Sequence, residues 1–423
     1  MVITVSRPKR MQPENLARLL LILPFFLSWL PGGAGYLLDL VWLLLVVFLI
    51  CFWSRLGGGR LGGLALWVLT FLGLTAAVYL VQFQSAWYYL WGFRNNFRFY
   101  AAFFSFALFL RQRDVEDIWR LFDRLFWLNF LISLIQFLIF DLRGDYLGGL
   151  FGAEQGCNGY TNIFLAVTVT KSVVFYLEGM GSSDQCLAKC AAALLLAALA
   201  ELKFFFVEFA VILLLAVLFG KCSRRLFLLG IAAIAGAGAC ALLLYRLFPE
   251  FGGWFHPSDM LETATADAGY SSAGDLNRLT AISDISRKIL RNWGQRLFGL
   301  GMGNCDYAGF DFLTSPFYRG NEGLHYTWMS HSFLFLETGY LGLVFFFGFF
   351  VLIFFAAGQR EKKYVGRQRA YCRVGRILAV LCMVIGIYNA SLRSEAGFFA
   401  YFAMALPFGR REHGKDTCAK RVL

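Results

Sequence analysis

Charge and proline are both scarce in this chain. Only 16% of its 423 residues are Asp, Glu, Lys or Arg, well below the roughly 25% usual for soluble domains, and this excludes an ordinary globular protein or a solvated disordered segment. The eight prolines leave most apolar runs free to form unbroken helices. Ten cysteines are scattered without a C-x-x-C pair, and Cys186 and Cys190 have no histidine close in sequence. They read as small packing residues, which excludes a disulfide framework and a thiolate metal centre. Abundant instead are apolar side chains: 59% of the chain is hydrophobic, with 47 Phe and 11 Trp, and the mean hydropathy is +0.61. This composition predicts an integral membrane protein, its aromatics facing lipid and forming interfacial belts.

Runs long enough to cross about 30 Å of hydrocarbon predict an all-α, polytopic protein of about twelve spans. They lie near 16–30, 36–53, 64–82, 97–110, 121–140, 159–177, 187–200, 204–219, 226–247, 332–357, 374–390 and 395–408. The boundary at Glu201, Leu202 and Lys203 is the weakest, and fusing the two runs there gives eleven. The opening MVITVSRPKRMQPENLARLL is basic and then apolar like a signal peptide, but Pro24 and the lack of a small-residue cleavage pattern point to a retained first span. Fifteen Lys and Arg residues fall in the connections after spans 2, 4, 8 and 10, against Arg94, Arg143, Lys203 and Arg393 on the other side. This asymmetry predicts both termini in the cytoplasm. The chain then divides into spans over 1–247, an extracytoplasmic loop over 248–330, closing spans over 331–408 and a basic cytoplasmic tail over 409–423. The net charge of +12 belongs to cytoplasmic connections and tail, where it meets anionic lipid headgroups. It does not call for nucleic acid.

The outer loop, from Pro249 to Ser330, is net negative, with six basic residues against nine acidic ones. Any anion site there must use individual arginines. Asp275 to Trp293 reads as one helix, capped by Ser271, Ser272 or Asp275 and ended by Asn292 and Gly294. Arg287 and Arg291 would share a face near Lys288, with Asp284 one turn before as a surface partner, and Arg278 would point the other way. LFGLGMGN comes next, its glycines at 299, 301 and 303. Without a preceding strand it is no dinucleotide fingerprint, and it reads as a tight turn back to the membrane. Then SHSFLFLETGYLGL puts His331 at the mouth of a long apolar helix, where an ionisable group marks a functional site. Its ordinary pKa, near 6.5, suits proton transfer at neutral pH. Glu337, about 240° further round that helix, is wrongly placed to orient the imidazole and reads as a supporting residue. Arg94 and Arg98 in WGFRNNFRF lie four apart on one face, at the outer end of their span.

The succession of a loop helix with an early arginine, FGLGMGN and HSFLFLETGYLGL opening an apolar helix resembles the O-antigen ligase and Wzy polymerase superfamily. These are bacterial membrane glycosyltransferases acting on undecaprenyl-diphosphate-linked glycans. About 70 residues carry the likeness closely, and the predicted topology extends it to the whole chain. The resemblance implies that His331 activates the acceptor and that Arg278 holds the carrier's diphosphate, for which a planar guanidinium fork is suited. Lys203, where many members have serine followed by arginine, would take the second phosphate. Arg94, Arg98 and Arg291 are further candidates for the diphosphate, with His325 and Arg393 as supporting positions. Glu154, Asn158 and Asn162 could meet sugar hydroxyls.

The chemistry implied by this resemblance is a metal-independent, inverting transfer on the outer face of the membrane, without a cofactor. The predicted function is polymerisation of lipid-linked repeat units into an O-antigen, capsule or exopolysaccharide. A ligase for lipid A core, transfer to protein, and a lipid-linked glycan transporter are the alternatives. Membrane lipids, a flippase and a chain-length regulator are the partners the resemblance implies.

Overall fold

A computed structural model describes residues 12–30, 35–57, 61–82, 84–220, 238 and 274–409. Every regular element among them is a helix. In chain order the helices are α1 (Pro13–Ile22), α2 (Tyr36–Cys51), α3 (Trp53–Gly57), α4 (Gly62–Gln82), α5 (Ala86–Phe109), α6 (Gln112–Ile139), α7 (Asn158–Leu177), α8 (Ser183–Leu199) and α9 (Lys203–Phe219). Beyond the loop segment come α10 (Ala281–Asp284), α11 (Trp293–Phe298), α12 (Pro316–Asn321), α13 (Ser330–Glu361), α14 (Gly366–Tyr388) and α15 (Gly397–Ala405).

Five of these, α4, α6, α7, α13 and α14, are long and apolar enough to cross a membrane. The predicted span 226–247 apart from residue 238, the first part of the outer loop and the basic tail beyond residue 409 lie outside the described residues. The most apolar windows of α7 and α14 are 78% and 72% buried, whereas those of α4, α6 and α13 are about one-third buried or less. A helix that is apolar all round and buried belongs at the centre of a bundle, so α7 and α14 form the core and the others the rim. Phenylalanine, foreseen for lipid-facing surfaces, also fills the buried core. The rings of Phe25, Phe122, Phe151, Phe164 and Phe399 form a knot with centroids 4.9–6.1 Å apart, joining α6, α7 and α15 to the turn after α1.

Several boundaries depart from the sequence reading. The first expected span is interrupted: α1 stops at Ile22 and two short 3-10 turns succeed it around Pro24, whose ring denies the chain a helical hydrogen bond. The span expected to start at residue 97 begins eleven residues earlier, so Arg94 and Arg98 lie inside a helix. The uncertain boundary at 200–203 is a real break. Glu201 takes a left-handed φ of 53°, the Leu202 N–H closes back on the Ala197 carbonyl at 2.8 Å, and α9 restarts at Lys203.

Candidate functional site

The glycine-rich turn and α13 build the frame of the site together. Gly339 breaks α13 with φ 64° and ψ −163°, a conformation open chiefly to glycine. The carbonyls of Leu336 and Glu337 are taken up from outside the helix, by the N–H groups of Leu300 at 2.8 Å and Gly301 at 3.0 Å. Gly299 and Gly339 allow this approach: a Cβ on Gly299 would collide with the Glu337–Thr338 backbone and one on Gly339 with the Leu297 carbonyl. The Glu337 carboxylate, fully buried, then accepts the Gly303 N–H at 2.8 Å, the Cys305 N–H at 3.4 Å and an Asn96 amide N–H at 3.4 Å. From the α4–α5 side, Gln82 donates to the Gly299 carbonyl at 3.2 Å and Gln84 to the Met302 carbonyl at 2.6 Å. The turn is therefore a docked plug, held from two helices, and Glu337 is its anchor.

At the mouth of α13, the Ser330 N–H and hydroxyl donate to the Asn389 carbonyl at 3.2 and 3.0 Å, tying the start of α13 to the end of α14. His331, 5% exposed, places Nε2 3.0 Å from the backbone carbonyl of Arg278. A carbonyl only accepts, so Nε2 carries a proton in this contact. Among the described residues Nδ1 has no partner in hydrogen-bond geometry, although the Gly386 carbonyl lies nearby. Arg278 in turn donates from Nε to the Tyr388 carbonyl at 3.0 Å, and its guanidinium lies 4.5 Å from the centre of the Tyr388 ring. The Tyr388 ring also stacks on Phe204 at 3.9 Å and 4°. Lys203, next to Phe204 at the start of α9, is close enough for the charges of Glu201, Arg278 and Asp145 to act on it. Three residues singled out from sequence, separated by 75 and 53 positions, are thus brought into one neighbourhood.

A second polar layer adjoins the first. The Arg393 guanidinium lies 3.3 Å from the centre of the Phe333 ring and 3.6 Å from Asp306 Oδ2, an oxygen that also accepts from Asn95 at 2.6 Å. Arg98, 4% exposed, donates to Glu395 Oε1 at 2.9 Å and to the Arg393 carbonyl at 2.6 Å. The Tyr160 hydroxyl donates to the other Glu395 oxygen. Burial pushes the Glu395 carboxyl up, but Arg98 and Tyr160 outweigh it and hold the group below its usual range.

Other expectations are corrected. The loop helix is not continuous from Asp275 to Trp293: α10 passes into a π turn over Ile285–Ile289, Leu290 is extended, and Asn292 caps α11 by accepting the Gln295 N–H at 2.8 Å. Asn292 starts a helix where it was expected to end one, because its short acceptor suits an N-cap. Arg278 precedes α10, and Arg291 sits exposed in the link beyond it, so neither shares a helix face with Arg287. Lys288 does pair with Asp284, at 3.0 Å. Arg94 makes a two-pronged pair with Asp39 at 2.8 and 2.9 Å, while Arg98 is sealed inward against Glu395, so these two diphosphate candidates face different partners. His325 stacks on Trp328 at 3.9 Å. Asn162 donates to buried Glu208 at 2.8 Å, and Asn158 to Asp145 at 2.9 Å and the Ala200 carbonyl at 3.1 Å. Both amides serve the bundle; Glu154 is exposed.

Sequence reasoning missed Tyr388, Phe204, Asp306, Asn95 and Asn96. For the last two a signal existed: a consecutive pair of amides within an apolar helix must find partners. No family model matches the chain, and no curated protein is found similar to it.

Proposed function

We propose that the chain is a membrane glycosyltransferase of the O-antigen ligase and Wzy polymerase kind, extending a surface polysaccharide from undecaprenyl-diphosphate-linked repeat units. The observation that carries this reading is the bond between His331 and the Arg278 backbone, which couples a candidate base to a candidate diphosphate clamp beside Lys203. In the proposed reaction the acceptor hydroxyl gives its proton to His331 Nδ1 as its oxygen attacks the anomeric carbon from the face opposite the diphosphate. The anomeric C–O bond breaks, its electron pair leaves with the diphosphate, and Arg278 and Lys203 stabilise that charge. Because His331 is 5% exposed, the proposal requires that substrate entry open this packing enough for the acceptor to reach the ring. About twelve spans, cytoplasmic termini and an extracytoplasmic 248–330 loop complete the proposal, with Arg94 and Arg98 reassigned to holding the bundle.

Purified full-length protein mixed with a synthetic undecaprenyl-diphosphate oligosaccharide and EDTA tests it on a gel. A ladder in the wild type that disappears in His331→Ala and Arg278→Ala is the expected result. Extension persisting in both variants removes the site assignment, and no extension with any acceptor returns the chain to the transporter class.

A further inference from the structure

A cavity lined by the described residues lies far from His331, at the opposite end of α13. It has a volume of about 670 Å³ and opens between the end of α13, the start of α14 and the turn joining them. The 32 residues of α13, at about 1.5 Å each, are long enough to carry it to the other face of the membrane in the proposed topology.

Its wall is cationic. Arg369, Arg373 and Arg376 recur on one face of α14 and all line the cavity, with Lys362 exposed at its rim. Two carboxylates stand against them. Glu178, from the end of α7, pairs with Arg373 and, at 3.1 Å, with Arg369. Glu361 accepts from Arg373 Nε at 2.7 Å and from Arg376 at 2.5 Å. Three guanidiniums thus share two carboxylates, and Lys362 adds to the excess of positive charge. The excess sits where water is scarce: Arg373 and Arg376 are 10% and 18% exposed, and the Nε atoms of Arg369 and Arg376 are buried without an acceptor among the described residues. Buried cations and donors left this way cost free energy that an incoming anion recovers. Beside them stand Phe354, Phe355, Tyr364 and Val365, of which Phe355 and Val365 are largely exposed. An arginine cluster next to exposed apolar side chains at a membrane boundary matches a ligand with a phosphate head and a hydrocarbon body.

We propose that this cavity binds a phosphate group on Arg369, Arg373 and Arg376, and that the phosphate belongs to an anionic phospholipid of the membrane leaflet it faces. Arg373 is shared between both carboxylates and orders the cluster. Arg369 and Arg376 supply donors to the ligand.

The test uses the full chain, stripped of lipid in a non-ionic detergent and titrated with phosphatidylglycerol, phosphatidylcholine or inorganic diphosphate, with thermal unfolding as the readout. Phosphatidylglycerol is expected to raise Tm saturably and phosphatidylcholine to leave it unchanged. In Arg369→Gln, which leaves Glu178 paired with Arg373, the apparent Kd for phosphatidylglycerol rises about tenfold. Lys288→Gln, which removes an equal charge in the outer loop, leaves that Kd unchanged. Stabilisation by diphosphate but not phosphatidylglycerol, weakened in Arg369→Gln, would overturn the lipid assignment while keeping the phosphate site; diphosphate stabilisation that Arg369→Gln leaves unchanged belongs to the proposed catalytic site and overturns this one. Equal stabilisation of the wild type and Arg369→Gln, or none by either phosphate, would overturn the site itself.

Discussion

His331 and Arg278 each hold the other in place, and their substitutions therefore report different things. Replacing His331 with Ala removes the proposed base and one hydrogen bond to the loop. Turnover is expected to fall by about 10²–10⁴, while donor binding, measured by retention of a radiolabelled carrier, changes little. Arg278→Lys keeps the charge but loses the fork and most of the stacking on Tyr388, so the KM for the lipid-linked donor should rise about tenfold or more. Arg98→Ala leaves Glu395 against Tyr160 without its cation, at a cost of about 3–5 kcal/mol in unfolding experiments. The pH dependence of that pair has a fixed sign. A carboxyl held below its usual range contributes stability above its unfolded pKa, about 4.3, and loses it as pH falls through the folded value. Thermal scans at decreasing pH should show an acid limb that Glu395→Gln flattens, from a lower neutral starting point. At this scale the sequence was informative where an ionisable group interrupts an apolar run, as at His331 and Lys203. It was silent on Tyr388 and Asp306, because an aromatic closing an apolar helix and one aspartate among nine acidic loop residues look ordinary until the fold gives them neighbours.

The elements were legible from their hydropathy and their ends from turn chemistry, with instructive failures. Helix α13 reads as continuous because its apolar pattern runs past Gly339, and nothing local tells that this glycine is left-handed. The reason is tertiary: the backbone at 297–301 passes close enough to exclude a side chain there. Gly339→Ala should accordingly cost at least about 2 kcal/mol, seen as a lower Tm in detergent, whereas Gly323→Ala, whose Cβ would meet nothing within 4 Å, should leave stability within about 0.5 kcal/mol of wild type. The expected loop helix over 275–293 failed for the opposite reason. Its periodicity was adequate, but Leu290 is drawn into the buried cluster with Ile285, Tyr326 and Phe333, and the chain leaves helical geometry to put it there.

Over the whole molecule, composition alone required a helical membrane protein, and five described helices have the length and hydropathy to cross. The burial of α7 and α14 at the centre was not legible, since a core helix and a lipid-facing helix are equally apolar. The proposed topology predicts that a cysteine placed at Lys362 reacts with an impermeant maleimide only after cells are opened. One placed at Trp293, 70% exposed in the loop segment, reacts in intact cells. Equal labelling of both from outside would reject the orientation.

The shared hydrogen bonds between residues 300–301 and 336–337, set in the proposed topology, also predict an order of biogenesis. In that topology, peptide carbonyls that take their donors from outside the helix are costly to leave unmet in hydrocarbon, so the first turns of α13 are expected to settle only against a partner already delivered across the bilayer. Synthesis runs in the right direction for this, because residues 299–305 leave the ribosome first. A circular permutant that exports them after α13 should insert poorly and be degraded, even though every side chain of the native protein is present.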